Sequence, residues 1–409
     1  MSVLAERKIL LLTPQLPYPP DQGTSLRNFH IIRGLVQFHE IHLLSFAEPG
    51  QGATEGLGPL EELCAGITVV PSPQRANWQR LWRLLSDGRP DMAHRLQSAA
   101  YAEALRQVLS REQFDIVQIE GIELAAHIPL IRKICPRCSI VFDDHNAEAD
   151  LQRRMYATDI GHPARWPAAG YSFIQWRRLR RFEAWVCGAA DGVTVVSNAD
   201  RDTLRELAPD VDPLVVPNCI DVEAYRQLAP TADATEQCDL LFIGKMDYRP
   251  NVDAVLWFGR EIWPRLREAR PNLTWAVVGK QPHPRLQSLA HEPGVKITGA
   301  VPRIEPYLAN ARVYVMPFRI GSGTRLKLIE ALAAGVATVS TRVGAEGYPL
   351  VDGRHILFAD EPRAFAKVVL DLLQDEVKRR RLQAAGREFS AAYDWRRVIP
   401  RFNELYRQL

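Results

Sequence analysis

The sequence predicts an α/β protein of two Rossmann-like, doubly wound parallel-sheet domains that face each other across a central cleft. Three observations predict it. The chain has 409 residues, enough for two domains. Short apolar runs alternate with longer helical patterns in both halves, the rhythm of βαβ units. Between the halves, Ala208–Thr235 is rich in proline and acids and weakly periodic, which puts the boundary near Pro217-Asn218.

In order, Ile9–Leu12, Ile41–Phe46, Ile67–Val70, Ile116–Ile119, Ile140–Phe142 and Val193–Ser197 read as buried strands. Leu26–Phe38, Tyr101–Ser110 and Ala199–Leu207 read as helices among them. The pattern resumes with strands Leu240–Ile243, Leu273–Val278, Val295–Thr298, Val313–Met316 and Val336–Thr341. The domains are expected at 1–216 and 217–392, with the last helix, Trp395–Gln408, returning residues 393–409 to the first. Ligands of such sheets bind at the carboxyl ends of the strands, so chemistry is sought in the loops that follow them.

The strongest loop is Gly321-Ser322-Gly323-Thr324-Arg325-Leu326-Lys327-Leu328-Ile329-Glu330, behind the strand Val313–Met316. Small residues free the backbone, and N–H groups at a helix start suit the phosphates of a nucleotide diphosphate. Arg325 and Lys327 add mobile positive charge. Glu330, three residues after Lys327 and on the same helix face, can accept ribose hydroxyls. Neither a Walker A string nor a GxGxxG after the first strand is present.

Other strand ends add candidates. Gly23, before a helix expected at Ser25–Phe38, allows close backbone approach or belongs to a proline-rich surface turn. His145 sits in Asp143-Asp144-His145-Asn146 after a strand, where it can serve a developing charge or stand beside a helix cap. Gly244-Lys245 and Gly279-Lys280 follow strands, and Gly299-Ala300-Val301 offers backbone groups to a base edge.

Composition narrows the classes. Net charge is +3, from 51 basic and 48 acidic residues, which argues against a nucleic-acid partner. No apolar run is long enough to span a bilayer, and the apolar run after Met1–Lys8 is too short for a secretory signal, so an intracellular protein is expected. Six cysteines do not make a disulfide scaffold, and Cys135-Pro136-Arg137-Cys138, lacking a partner pair, reads as a loop. Asp210-Val211-Asp212 reads as a solvated turn rather than a metal site. Residues 77–85 and 173–182 combine aromatics with arginine: either helices packing their aromatics on the core, the preferred reading for 173–182, or helices lying on an anionic membrane face.

Taken together, Pro19–Gly23, Asp144-His145-Asn146, Val195-Val196-Ser197, Val216–Asp221, Phe242–Lys245 and Gly321–Gly335 resemble the group-1 (family 4) retaining glycosyltransferases of the GT-B fold. The nearest subgroup is the exopolysaccharide-associated sugar transferases, which share the D-x-x-P-N string from Asp247 to Asn251. The resemblance implies transfer, with retention, from a UDP- or GDP-linked sugar bound in the C-terminal domain to a saccharide or lipid-linked saccharide held by the N-terminal domain. Lys245, Arg325 and Lys327 would contact the diphosphate and Glu330 the ribose. Gly23 would belong to the glycine loop, and His145 would lie near the transferred sugar. Gly244, Gly279, Val301, Gly321, Ser322, Gly323 and Thr324 would complete the donor site. No cofactor and no metal are expected, because fixed cations and N–H dipoles can stabilise the leaving phosphate. A cytoplasmic protein, peripheral at the inner membrane face, would follow. The chain departs from the family pattern at Thr24, at Cys219-Ile220 and at Ser322, where an acid eight residues before Glu330 is usual. A nucleotide-sugar epimerase of the same fold and a non-catalytic nucleotide-sugar-binding partner of an assembly complex are the alternatives.

Overall fold

The computed structural model describes residues 6–20, 22–47, 57–74, 87–161, 163–230, 237–321 and 323–409. The chain divides into two compact units, Met1–Asn218 with Trp395–Leu409, and Cys219–Asp394.

The first unit is built on β1 (Lys8–Thr13), β2 (Glu40–Ala47), β3 (Gly66–Pro71), β4 (Ile116–Glu120), β5 (Ser139–Asp144), β6 (Gly192–Val195) and β7 (Leu214–Val215). Their order is β3-β2-β1-β4-β5-β6-β7, all parallel. Helices cover both faces, which is why runs such as Ile9–Leu12 are continuously apolar and fully buried. Strand order reverses between β1 and β4, so the carboxyl ends of β1, β4 and β5 mark the ligand position of this sheet.

The second unit repeats the plan with β8 (Cys238–Ile243), β9 (Trp275–Val278), β10 (Val295–Ile297), β11 (Ala311–Met316), β12 (Ala337–Ser340) and β13 (Leu357–Phe358). The order is β10-β9-β8-β11-β12-β13, again parallel, with its switch between β8 and β11.

Several expectations are corrected. The first helix is Gly23–Leu35 rather than Ser25–Phe38, because Gln22 and Ser25 close its start: Gln22 N–H donates to Ser25 Oγ (3.1 Å) and the hydroxyl returns to Gln22 O (3.0 Å). Gly23 is therefore the first helical residue, exposed, and not part of a preceding loop. β6 stops at Val195 because Ser197 caps the helix Asn198–Leu207. The segment between the halves is not structureless, since it holds β7 and the helix Val222–Arg226. The final helix is two, Trp395–Val398 and Pro400–Tyr406, separated at Ile399 because Pro400 brings no amide hydrogen.

This C-terminal segment is fastened to the first unit by specific contacts. Trp395 stacks on His30 at 6.4 Å and lies under the Arg33 guanidinium at 4.6 Å. His39 Nε2 pairs with Asn403 Oδ1 at 2.8 Å. A Cβ at Gly34 would come within 2.6 Å of Ile399, so only glycine lets the segment pack there.

Residues 173–182 fall within the long helix Trp166–Ala189, which packs against Glu148–Ile160. Trp176 and Phe182 are partly buried on the core as expected. Trp166, Phe173, Ile174 and Trp185 remain exposed, so the preferred packing reading holds for only part of the helix. Residues 77–85 lie outside the described residues. Among the described residues, no helix is long and apolar enough to cross a membrane.

Candidate functional site

In the second unit the chain leaves β11 and turns on Gly321 (φ 132°) and Gly323 (φ 73°) before the helix Leu326–Ala334. Left-handed backbone at Gly323 favours glycine, and a Cβ at Gly321 would sit 2.4 Å from Arg325 Nη2. Arg325 is not the mobile charge that the sequence suggested. Its guanidinium donates to Val343 O at 2.7 Å and lies 4.5 Å over the Phe318 ring. The charge is thus fixed beside the first turn, where amide N–H groups lack helical partners.

One turn on, Lys327 Nζ meets Glu330 Oε2 at 2.9 Å, the expected i,i+3 pair. Glu330 is only 1% exposed, and its Oε1 accepts the Tyr225 hydroxyl at 2.9 Å. Burial, then the neighbouring Glu330 charge, push the Tyr225 hydroxyl well above its ordinary pKa, so it remains a donor. The helix buries every other residue from Leu326 to Ala334, leaving Lys327 as its half-exposed cation. Gly335 (φ 77°) closes it, its N–H bonding back to Ala331 and Leu332.

The loops after β8 and β9 abut through two glycines. A Cβ at Gly279 would lie 1.7 Å from Gly244 O, a position no other residue can take. Asn251 packs under Gly244 and donates from Nδ2 to Lys245 O at 2.9 Å, a local reason for the D-x-x-P-N string. Lys245 is exposed and its Nζ stands 3.4 Å from Asp247. Val301, half-buried, follows β10 in a loop opened by Gly299 (φ 72°). Thr324 lies in the turn before Arg325, and Ser322 lies outside the described residues.

In the first unit the expected loop after β5 is partly strand. Asp143 and Asp144 complete β5 and are buried, and Glu120 ends β4 directly beside Asp143. His145 follows, with Nε2 at 2.9 Å from Glu120 Oε2 and 3.4 Å from Asp143 Oδ2. Arg27, 1% exposed, grips Asp143 with two bonds of 2.8 Å and also donates to Val216 O and Pro217 O. Thr194 Oγ1 donates to Asp143 Oδ1 at 2.5 Å.

Four charged groups therefore share one buried site, two cations facing two carboxylates. Burial alone would raise Asp143, but Arg27 and His145 hold it far below the usual carboxylate range. Burial acts to lower His145, but its bonds to Asp143 and Glu120 outweigh this and raise it to about 9. Burial and the Asp143 charge push Glu120 up to about 7, against the pull of His145. Near neutral pH, His145 is an imidazolium. Neither Asp144 nor Asn146 caps the helix Glu148–Ile160. Its first amides, Glu148 N and Ala149 N, donate to the buried Glu183 carboxylate instead.

Glu120, Asp143 and His145 place ligand atoms within 4.8 Å of one another, a spacing a cation could use. The Arg27 guanidinium already occupies both oxygens of Asp143, so a further cation there would meet repulsion. Asp212 of the D-V-D string is exposed and paired with Arg205. The six cysteines are free, and Cys138 donates its thiol proton to Cys135 O at 3.0 Å.

Three participants escaped the sequence reading: Tyr225, Glu120 and Arg27. Only Glu120 carried a usable signal, as an acid at the carboxyl end of a buried strand.

Residues 22–224 match a family model described as glycosyltransferase family 4, and residues 237–375 match one described as glycosyl transferases group 1. The glycogen synthase of Mycobacterium tuberculosis is 25% identical over 62% of this chain and 61% of its own length. The phosphatidyl-myo-inositol mannosyltransferase of the same organism is 28% identical over 48% of this chain and 54% of its own. The matched span is less than two thirds of either relative. Among solved structures, sucrose-phosphate synthase from Thermosynechococcus elongatus superposes with a TM-score of 0.73 at 16% identity, covering 98% of this chain and 99% of the other. Anabaena HepE, in complex with UDP and glucose, does so at 0.66 and 13%, over 99% and 100%. With both halves matched in chain order, and with a fold shared along almost the whole chain, this protein belongs to the group 1, family 4 glycosyltransferases and has their GT-B architecture.

Proposed function

We propose that the chain transfers a sugar, with retention, from a UDP- or GDP-linked donor to a saccharide or lipid-linked saccharide, and needs no metal to do so. The observation that carries this reading is the Leu326–Ala334 helix start, where a fixed Arg325, the Lys327 ammonium and a buried Glu330 stand within about a turn and a half. Cleaving the anomeric C–O bond leaves negative charge on the diphosphate and positive character on the sugar. Arg325, Lys327 and the free helix amides stabilise the leaving phosphate. Lys245 adds charge from the end of β8. Glu330, oriented by Tyr225, receives the ribose hydroxyls. Gly244, Gly279, Val301, Gly321, Gly323 and Thr324 supply backbone approach to the donor.

The residues 219–394 unit would hold the donor, and the other unit the acceptor. Peripheral membrane contact through the first unit belongs to this reading. Trp166, Phe173, Ile174 and Trp185 are exposed on a helix that also carries Arg177, Arg180 and Arg181, and the only acid of that helix, Glu183, is buried. Flotation with anionic vesicles tests it, and absence of binding removes it.

The assay for the function is a thermal-shift screen of nucleotide-sugars, followed by product analysis with acceptor. Lys327→Ala and Glu330→Ala should each severely lower transfer while leaving the fold intact. Turnover like the wild type in both variants would refute the assignment.

A further inference from the structure

We propose that Glu120 is a positioning residue for His145, fixing its Nε2–H on buried carboxylate so that His145 acts as a charged hydrogen-bond donor from Nδ1 and not as a general base. The inference rests on the reading of the chain as a sugar transferase that uses His145, and it goes beyond it by assigning the charge and orientation of the ring.

The geometry is direct. Nε2 faces two acceptors, Glu120 Oε2 at 2.9 Å and Asp143 Oδ2 at 3.4 Å, and neither carboxylate can donate to it while ionised. Nε2 therefore carries a proton that it gives to them. The strand register makes the arrangement rigid, because Glu120 and Asp143 are directly paired across β4 and β5.

Glu120 is itself held from behind. Its Oε1 accepts Gln118 Nε2–H at 2.6 Å, and Gln118 Oε1 accepts the buried Tyr406 hydroxyl. The C-terminal helix Pro400–Tyr406 thus braces the carboxylate that braces the histidine.

The other ring nitrogen, Nδ1, lies by Gly121. A Cβ there would stand 3.9 Å from it, an ordinary contact distance, and the φ of 87° is the left-handed backbone that glycine permits. The His145 side chain is 15% exposed.

The charges around the ring are consistent with an imidazolium. Asp143, ionised and shared with Arg27, and Glu120, raised to about 7 and so part-charged near neutral pH, together face the ring. Glu148, on the following helix, is pushed up to about 7 by burial and then by Glu123, and so is likewise only part-charged at neutral pH. Glu123 pairs with Arg95 at 3.5 Å. A base would have to shed its proton near neutral pH; a ring held by two carboxylates sheds it only in alkali.

The test is a titration of the His145 ring by NMR on isotopically labelled histidine, with the resonance assigned through His145→Gln. The wild-type ring should stay protonated through neutral pH and titrate near 9. In Glu120→Gln, which keeps the shape but removes the charge, its apparent pKa should fall by roughly one unit or more. The pH–rate profile of transfer should gain a falling alkaline limb shifted by the same amount, while Glu120→Asp should restore part of the shift. Wild-type titration near the ordinary histidine value, or an unchanged pKa in Glu120→Gln, overturns the proposal. A purely structural Glu120 would lower the melting temperature and leave the ring pKa where it was. If Glu120→Gln does not fold, the wild-type titration and Tyr406→Phe, which loosens Gln118 alone, decide the matter by the same ring signal. If no nucleotide-sugar supports transfer in the wild type, the proposed function fails, while the ring titration still tests Glu120.

Discussion

Replacing Arg27 by methionine probes the most heavily committed side chain of the first unit. Arg27 is 1% exposed, bonds both oxygens of Asp143 at 2.8 Å, and donates to two carbonyls and to Asn218 Oδ1. Methionine keeps an unbranched apolar stem but supplies no donor and no charge. Asp143, fully buried, would retain only Thr194 and His145 as partners. Removing one partner of a buried pair costs about 3–5 kcal/mol, because the other charge is left without compensation. At about 1.4 kcal/mol per decade this is a loss of roughly a hundredfold to a thousandfold or more in the folding equilibrium. Asp143 titrates far below its ordinary value in the folded chain, so the stability it contributes is present above pH 4 or so and is lost as pH falls. In Arg27→Met burial is no longer opposed by the guanidinium, so the Asp143 carboxyl rises, the acid-side loss shrinks, and the gap to wild type narrows as the orphaned charge is protonated at low pH. Urea unfolding measured from pH 2 to 8, following the transition of the first unit, reads both effects. The double variant Arg27→Met/Asp143→Asn should recover much of the loss, since the orphaned charge is gone. A cost under about 1 kcal/mol, or a double variant no more stable than the single one, would refute the argument.

Tyr225→Phe should remove one hydrogen bond to Glu330, costing about 1 kcal/mol of stability and weakening nucleotide binding, as checked by melting with and without ligand. Gly279→Ala should disrupt the paired loops after β8 and β9, since its Cβ would stand 1.7 Å from Gly244 O, and should abolish the donor-induced thermal shift; an unchanged shift counts against the role of that loop. His145 has a raised pKa, so the stability it contributes is complete below its unfolded value near 6.5 and disappears as pH rises through about 9. The melting difference between wild type and His145→Gln should therefore shrink between pH 7 and 10.

Much of this could be read locally. Apolar runs without alternation announced parallel strands buried on both faces, and the strand-end rule pointed at residues 145, 245 and 321–330. The Lys327–Glu330 pair follows from helical spacing alone. The first helix was misjudged because Gln22 and Ser25 are a quieter start signal than the glycine beside them. Residues Pro400 and onward read as one helix because apolar periodicity runs through the break.

What the sequence by itself determined is the order of strands and helices and the loop that suits a diphosphate, because periodicity, small residues and paired charges within one turn are local properties. Tertiary structure alone decided who holds the functional groups. Tyr225 reaches Glu330 across 105 positions, and Arg27 reaches Asp143 across 116. Glu120 meets His145 only because β4 and β5 pair in one register. Such partners are chosen by strand register and by the cost of leaving a buried charge alone, and neither is written in any short stretch of the chain.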